Sequence, residues 1–207
     1  FDNSNLKYKS YVLKGNTDKL NSLKALLNTH DIAYENVNTT KVSGYNYKTG
    51  GQSNMTINDN ALVVHTNQPK GKMVKVLFEP DAKLSDSLTY DITAWSVPYA
   101  YGLDAIASTS KINSTKKFEP KKLHVLYDAY GYVSKWNSLN DAQFLADLLK
   151  HNFKVRFTEK PFSSSGSKFE RGSLIITKGD NKQIEDFVKS LNKIAQRHSH
   201  FLTTINS

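Results

Sequence analysis

Between Ser108 and Lys122 the chain carries serine, threonine, asparagine and lysine around one proline, with no apolar period. A stretch without periodicity has no face to bury. The patterned segments on its two sides must therefore each close a core. A chain of 207 residues fits one large domain or two small ones. The break predicts two: residues 1–110, a linker over 111–121, and residues 122–207. Lys116, Lys117, Lys121 and Lys122 read as solvated linker charges.

In the first half, Tyr8 to Leu13 alternates as a strand does. Asn16 or Thr17 is placed to cap a helix striped by Leu20, Leu23, Leu26 and Leu27. Ile32 to Val37 returns as a strand, which makes a βαβ unit or a split version of one. Asn38 to Asn60 is polar and glycine-rich and reads as a long loop or an irregular hairpin. Ala61–His65 and Met73–Phe78 then read as two strands, and Tyr99 to Ala107 as a short helix.

The second half is patterned more simply. Leu123 to Tyr127 reads as a strand, and Ser138 or Asn140 opens a helix with Phe144, Leu145, Leu148 and Leu149 on one face. Phe153 to Phe157 and Ser173 to Thr177 are further strands. Gly179-Asp180-Asn181 turns into a helix carrying Ile184, Phe187, Val188, Leu191, Ile194 and Ala195, and His200 to Thr204 is a last strand. The near-continuous apolar run over 173–177 suits a sheet covered on both faces. The expected fold class is therefore α/β: a mixed sheet first, then a small parallel sheet with helices on both faces.

The chemistry is sparse. There is no cysteine, which removes disulfides, thiolate nucleophiles and zinc–thiolate sites. No Gly-x-Ser-x-Gly elbow and no phosphate-binding glycine loop is present. Net charge is +9, carried mostly by dispersed lysines, with only Arg156, Arg171 and Arg197 to read phosphates in bidentate fashion. This argues against a nucleic-acid partner. No apolar run approaches the roughly 20 residues of a membrane helix. His198-Ser199-His200 would face one side of a strand, but without a nameable third ligand it reads as a polar approach to that strand, not a metal site. Asp128, Tyr130, Trp136, Gly179 and Asp180 follow strands, where a doubly wound sheet collects ligands. They are the candidate crevice for a small ligand or a peptide end. Capping and loop packing are the alternative roles for these residues.

One run carries more than pattern. Gln68-Pro69-Lys70-Gly71 leads into Val74-Lys75-Val76-Leu77-Phe78-Glu79-Pro80. Leu84 to Gly102 then sets Asp86, Asp91, Trp95, Tyr99 and Tyr101 among regular polar punctuation. The run resembles a segment found just after the catalytic domain in large bacterial zinc carboxypeptidases of the carboxypeptidase-A-like family. Val125 to Gly131 and Leu174 to Asp180 are similar to the class I glutamine-amidotransferase-like, flavodoxin-like, three-layer domain of the same group.

The family's zinc site uses His-x-x-Glu. None of His30, His65, His124, His151, His198 and His200 has glutamate three positions on. The resemblance thus implies a non-catalytic accessory region, with zinc held in the parent's peptidase domain and no cofactor in this chain. Asp86, Asp91, Trp95, Tyr99 and Tyr101 would be its docking surface, or would fill the first domain's own core. The implied partners are that peptidase domain and a peptide substrate. The implied setting is periplasmic, cell-surface or secreted, and the end at Ser207 suggests a piece of a longer protein. A stand-alone ligand-binding module is the alternative.

Overall fold

The computed structural model describes residue 3 and residues 5–37, 40–57, 61–81, 96–113 and 126–205. The chain divides into two compact units, Phe1–Glu119 and Pro120–Ser207. Both are mixed α/β, and every described strand pairing is antiparallel.

The first unit runs β1 (Ser10–Lys14), α1 (Thr17–Thr29), β2 (Glu35–Val37), β3 (Thr40–Asn46), β4 (Gly51–Ile57), β5 (Ala61–His65), α2 (Gly71–Phe78), α3 (Val97–Ala100) and β6 (Asp104–Ser108). Its sheet has the order β2-β5-β1-β6-β3-β4. Two split βαβ units interlock in it: β5 lies between β1 and β2, and β1 lies between β5 and β6. This is the ferredoxin-like connectivity, extended by the β3–β4 hairpin. Leu20, Leu23 and Leu27 of α1 and Val74 and Phe78 of α2 pack on Tyr11, Leu13, Leu62 and Val64. On the other face Val42 and Ile57 of the hairpin cover Val12, Val63 and Ile106. At Gly44 a Cβ would stand 2.2 Å from the Ala107 carbonyl oxygen, so glycine is what lets the hairpin pass β6 this closely.

The second unit runs β7 (Gly131–Ser134), α4 (Leu139–Lys150), β8 (Arg156–Phe157), β9 (Phe162–Ser164), β10 (Ser167–Phe169), β11 (Leu174–Thr177), a 3₁₀ turn (Gly179–Asn181), α5 (Phe187–Arg197) and β12 (Thr203–Ile205). Its sheet order, β12-β7-β11-β8, is the same interlocked pair of split βαβ units. A hairpin is again inserted between the second and third strands, and Ser165 at its tip donates to the Thr204 carbonyl of the fourth at 3.2 Å.

The two units repeat one another in detail. From Ser10 to Asn36 each residue has its counterpart 121 positions on, without a gap, as Tyr132 answers Tyr11. Tyr11-Val12, Lys14 and Asn16 recur as Tyr132-Val133, Lys135 and Asn137. Both first helices end alike: His30 and His151 close them, Asp31 and Asn152 take φ of 54° and 60°, and Ile32 and Phe153 donate back to Leu27 and Leu148. A buried amide repeats too. Gln68 Oε1 accepts from Ala33 N at 2.7 Å while its Nε2 donates to the Ala33 and His65 carbonyls. Asn181 Oδ1 accepts from Lys154 N at 2.7 Å while its Nδ2 donates to the Lys154 and Thr177 carbonyls.

Several expectations are corrected. Met73–Phe78 lies in α2, because Val74 and Phe78, one turn apart, both bury against the sheet. Residues 104–108 form β6, not helix. Of the two readings of the polar stretch before β5, loop or irregular hairpin, the hairpin holds, as the regular ladder β3–β4. The second unit is not a parallel flavodoxin-like layer in its described strands: β11 runs antiparallel between β7 and β8. Leu126 and Tyr127 are not in a strand, residues 123–125 lie outside the described residues, and so does most of the expected linker.

Candidate functional site

The expected crevice is partly assembled. β7 begins where β11 ends, Gly131 pairing with Thr177. Asp128 and Tyr130 therefore reach the same end of the sheet as Gly179 and Asp180. Trp136, beyond the far end of β7, lies at the opposite end. The expectation of one crevice for all five fails because it placed the strand at 123–127, before Asp128, and ran it parallel to 173–177, whereas β7 follows Tyr130 and runs antiparallel to β11.

The charges at that end are committed to each other. Arg156 Nε and Nη2 donate to Asp180 Oδ2 and Oδ1 at 2.7 and 2.5 Å, and Thr177 Oγ1 donates to Asp180 Oδ2 at 2.7 Å. These hydrogen bonds, Arg156's first, hold the Asp180 carboxyl down at about 2. Lys178 Nζ grips both Asp128 oxygens at 2.8 and 2.9 Å. Tyr127 and Tyr130 stand exposed beside them.

The histidine pair meets α4. His198 closes α5, and Ser199 turns the chain with φ 47°, so the two histidines do not share a strand. His198 Nε2 lies 2.9 Å from Asp147 Oδ2, which also accepts from Arg197 at 2.7 Å. The His198 bond first, with Arg197 adding to it, holds the Asp147 carboxyl below the usual range. His200 Nε2 lies 2.5 Å from Ser134 Oγ, its Nδ1 3.6 Å from Asp141 Oδ1, and its ring stacks on Phe144 at 4.3 Å. Asp141 Oδ2 also accepts from the Asn137 and Ser138 amides, and Ser138 Oγ accepts from the Asp141 amide in return, a capping box.

Ser134, His200 and Asp141 have the order of a nucleophilic triad, but Ser134 is completely buried. A buried hydroxyl offers no path to a substrate. The first unit explains the set differently. By register the counterparts of Ser134, Asp141 and His200 are Leu13, Leu20 and Leu103, which pack together in its core. A polar network thus stands in the second copy where the first has three leucines. Among the described residues no group of three or more metal-ligating side chains converges. A cavity of about 30 Å³ beside His200, lined by Leu126, Asn192 and Phe201, holds little more than a water.

The first unit has its own buried histidine. His65 Nδ1 lies 2.9 Å from Ser10 Oγ, while Nε2 is buried with no hydrogen-bond partner, 3.8 Å from Glu35. Burial lowers its proton affinity, against a smaller pull from Glu35.

Of the expected docking residues, Asp86, Asp91 and Trp95 lie outside the described residues. Tyr99 is 43% exposed and its ring lies 5.2 Å from that of Tyr47, which donates to the Phe78 carbonyl. Partial burial, with help from Tyr45, pushes the Tyr99 hydroxyl up to about 12. Tyr101 packs at the rim of the core. Sequence reading missed Ser134, Asp141, Asp147, Arg156 and Lys178. The 121-position repeat was the signal that could have flagged the first two, since it sets them against leucines. No protein-family model, curated protein or solved structure matches this chain.

Proposed function

We propose that this chain is a non-catalytic accessory region of a bacterial zinc carboxypeptidase, built from two copies of one module of two interlocked split βαβ units and packing on or shaping the peptidase domain. The family assignment rests on the resemblance of Gln68 to Gly102. Zinc and the catalytic residues then belong to the parent's peptidase domain. A peptide substrate and a periplasmic or cell-surface setting follow from the same premise. One observation favours this reading over a stand-alone ligand module: Asp128 and Asp180, the acidic groups of the expected crevice, are consumed by Lys178, Arg156 and Thr177. A ligand would have to displace those partners.

The test compares this chain with the full-length gene product on C-terminally varied peptides with added zinc. Hydrolysis is expected only from the full-length protein, and at a changed rate when this region is deleted. Hydrolysis by this chain alone, or a full-length product without a His-x-x-Glu segment, overturns the proposal.

A further inference from the structure

The two copies differ most in the inserted hairpin. In the second copy its strands, β9 and β10, have three residues each. In the first, β3 and β4 have seven each, and β4 ends the six-stranded sheet. The frame does not need this enlargement, since the second copy closes without it.

A free sheet edge presents unpaired N–H and C=O groups and invites another strand, so proteins blunt edges by shortness, charge or proline. Among the described residues the other sheet-ending strands are blunted, β9 and β10 by their length of three residues each. β2 has three residues and carries Glu35; β8 has two and carries Arg156; β12 has three and lies beside the β9–β10 hairpin. β4 reads Gly51-Gln52-Ser53-Asn54-Met55-Thr56-Ile57, with no charge and no proline, in a chain that is 23% charged. Among the described residues its outer side has no strand partner. Gln52, Asn54 and Thr56 are exposed.

From this edge we infer that β4 is a self-association surface, pairing antiparallel with β4 of a second copy of this chain about a two-fold axis at Asn54. An isologous antiparallel pair sets each residue against its mirror position, Asn54 on Asn54 and Gln52 on Thr56. Any like charge near the axis would face its own copy, and β4 has none. Gln52 and Thr56 each carry both donor and acceptor, so those pairs can bond in either sense, while Asn54, whose Oδ1 accepts from Ser43 Oγ at 2.5 Å, presents its Nδ2 as a donor at the axis. The paired strands span about 24 Å at 3.4 Å per residue. So small an interface gives a weak, concentration-dependent dimer.

The test is the molar mass of this chain by light scattering and sedimentation, from about 10 µM to about 1 mM, the range where a small interface reports. Mass is expected to climb from 23.3 kDa toward twice that value. Gln52→Lys with Thr56→Lys sets lysine against lysine at two places and is expected to abolish the rise. Gln52→Glu with Thr56→Lys sets opposite charges in the same register and is expected to shift the midpoint at least tenfold lower. Unchanged circular dichroism in both variants separates pairing from folding. A monomer at every concentration overturns the inference, whether or not β4 accepts an extended peptide from another protein. So does a dimer indifferent to both variants. The measurement involves no peptidase activity, so its failure is distinguishable from failure of the accessory reading.

Discussion

The leucine-for-network exchange makes a sharp prediction. In the first unit Leu13, Leu20, Leu23 and Leu103 fill one region of the core. In the second the same places hold Ser134, Asp141, Phe144 and His200, with the small serine offset by the larger phenylalanine. His200→Leu alone takes a partner from Ser134 and strips Asp141 of its facing imidazole. Ser134 Oγ keeps its bond to the Lys135 carbonyl and Asp141 Oδ2 keeps its two amides, so the cost is that of the buried partners lost, about 1–2 kcal/mol. The four-residue transplant Ser134→Leu, Asp141→Leu, Phe144→Leu and His200→Leu removes every polar member together and restores the volume pattern of the first copy. Replacing a whole buried network by well-packed apolar side chains is near neutral or stabilising. The lost capping box subtracts about 1 kcal/mol, although α1 holds with no side-chain bond at its own cap. The transplant should therefore be within about 1 kcal/mol of the parent, and more stable than the single variant. Urea unfolding followed by Trp136, in a Trp95→Phe background, reads the second unit. A transplant as unstable as the sum of its single substitutions would refute the equivalence of the two cores.

Other outcomes follow from the same structure. Asn181→Leu should destabilise the second unit by about 2–4 kcal/mol and expose the Lys154 amide to hydrogen exchange, and Gln68→Ala should act likewise on the first through Ala33. His65 binds protons less readily folded than unfolded, so its contribution is present above the ordinary value near 6.5 and is lost as pH falls below it. Urea midpoints of the first unit should drop between pH 7.5 and 5, and His65→Leu should flatten that part of the slope. The Asp180 carboxyl should titrate by NMR at about 2 and move up toward 3.8 in Arg156→Met. Gly44→Ala should destabilise the first unit, because its methyl meets the Ala107 carbonyl, and calorimetry should show a lowered Tm for that unit alone.

Sequence pattern found α1, α4, α5, β5 and β11, where long apolar stripes or dense β-branched runs leave little choice. It misread Met73–Phe78 because two valines in alternation favour a strand, while docking of Val74 and Phe78 on the sheet decides for helix and leaves Val76 65% exposed. It could not see strand direction: an apolar run over 173–177 reads the same whether its neighbours run parallel or antiparallel. The wrong direction carried Trp136 into a crevice at the other end of the sheet. The repeat escaped because the identities that survive are scattered, Tyr11-Val12, Lys14 and Asn16 against Tyr132-Val133, Lys135 and Asn137, while Leu13 and Leu20 stand against Ser134 and Asp141. His198 and His200 were legible as a pair, but the turn at Ser199 was not.

In each unit the opening strand lies beside the closing one. Ser10 sits across from Ser108, and Gly131 across from Ile205. Directly opposed residues of an antiparallel ladder have Cα atoms about 5 Å apart. The backbone thus arrives and departs through adjacent doorways. A module with that property can be spliced into a surface loop of a host, or copied in tandem, without stretching either flank. Such geometry makes duplication nearly free of strain.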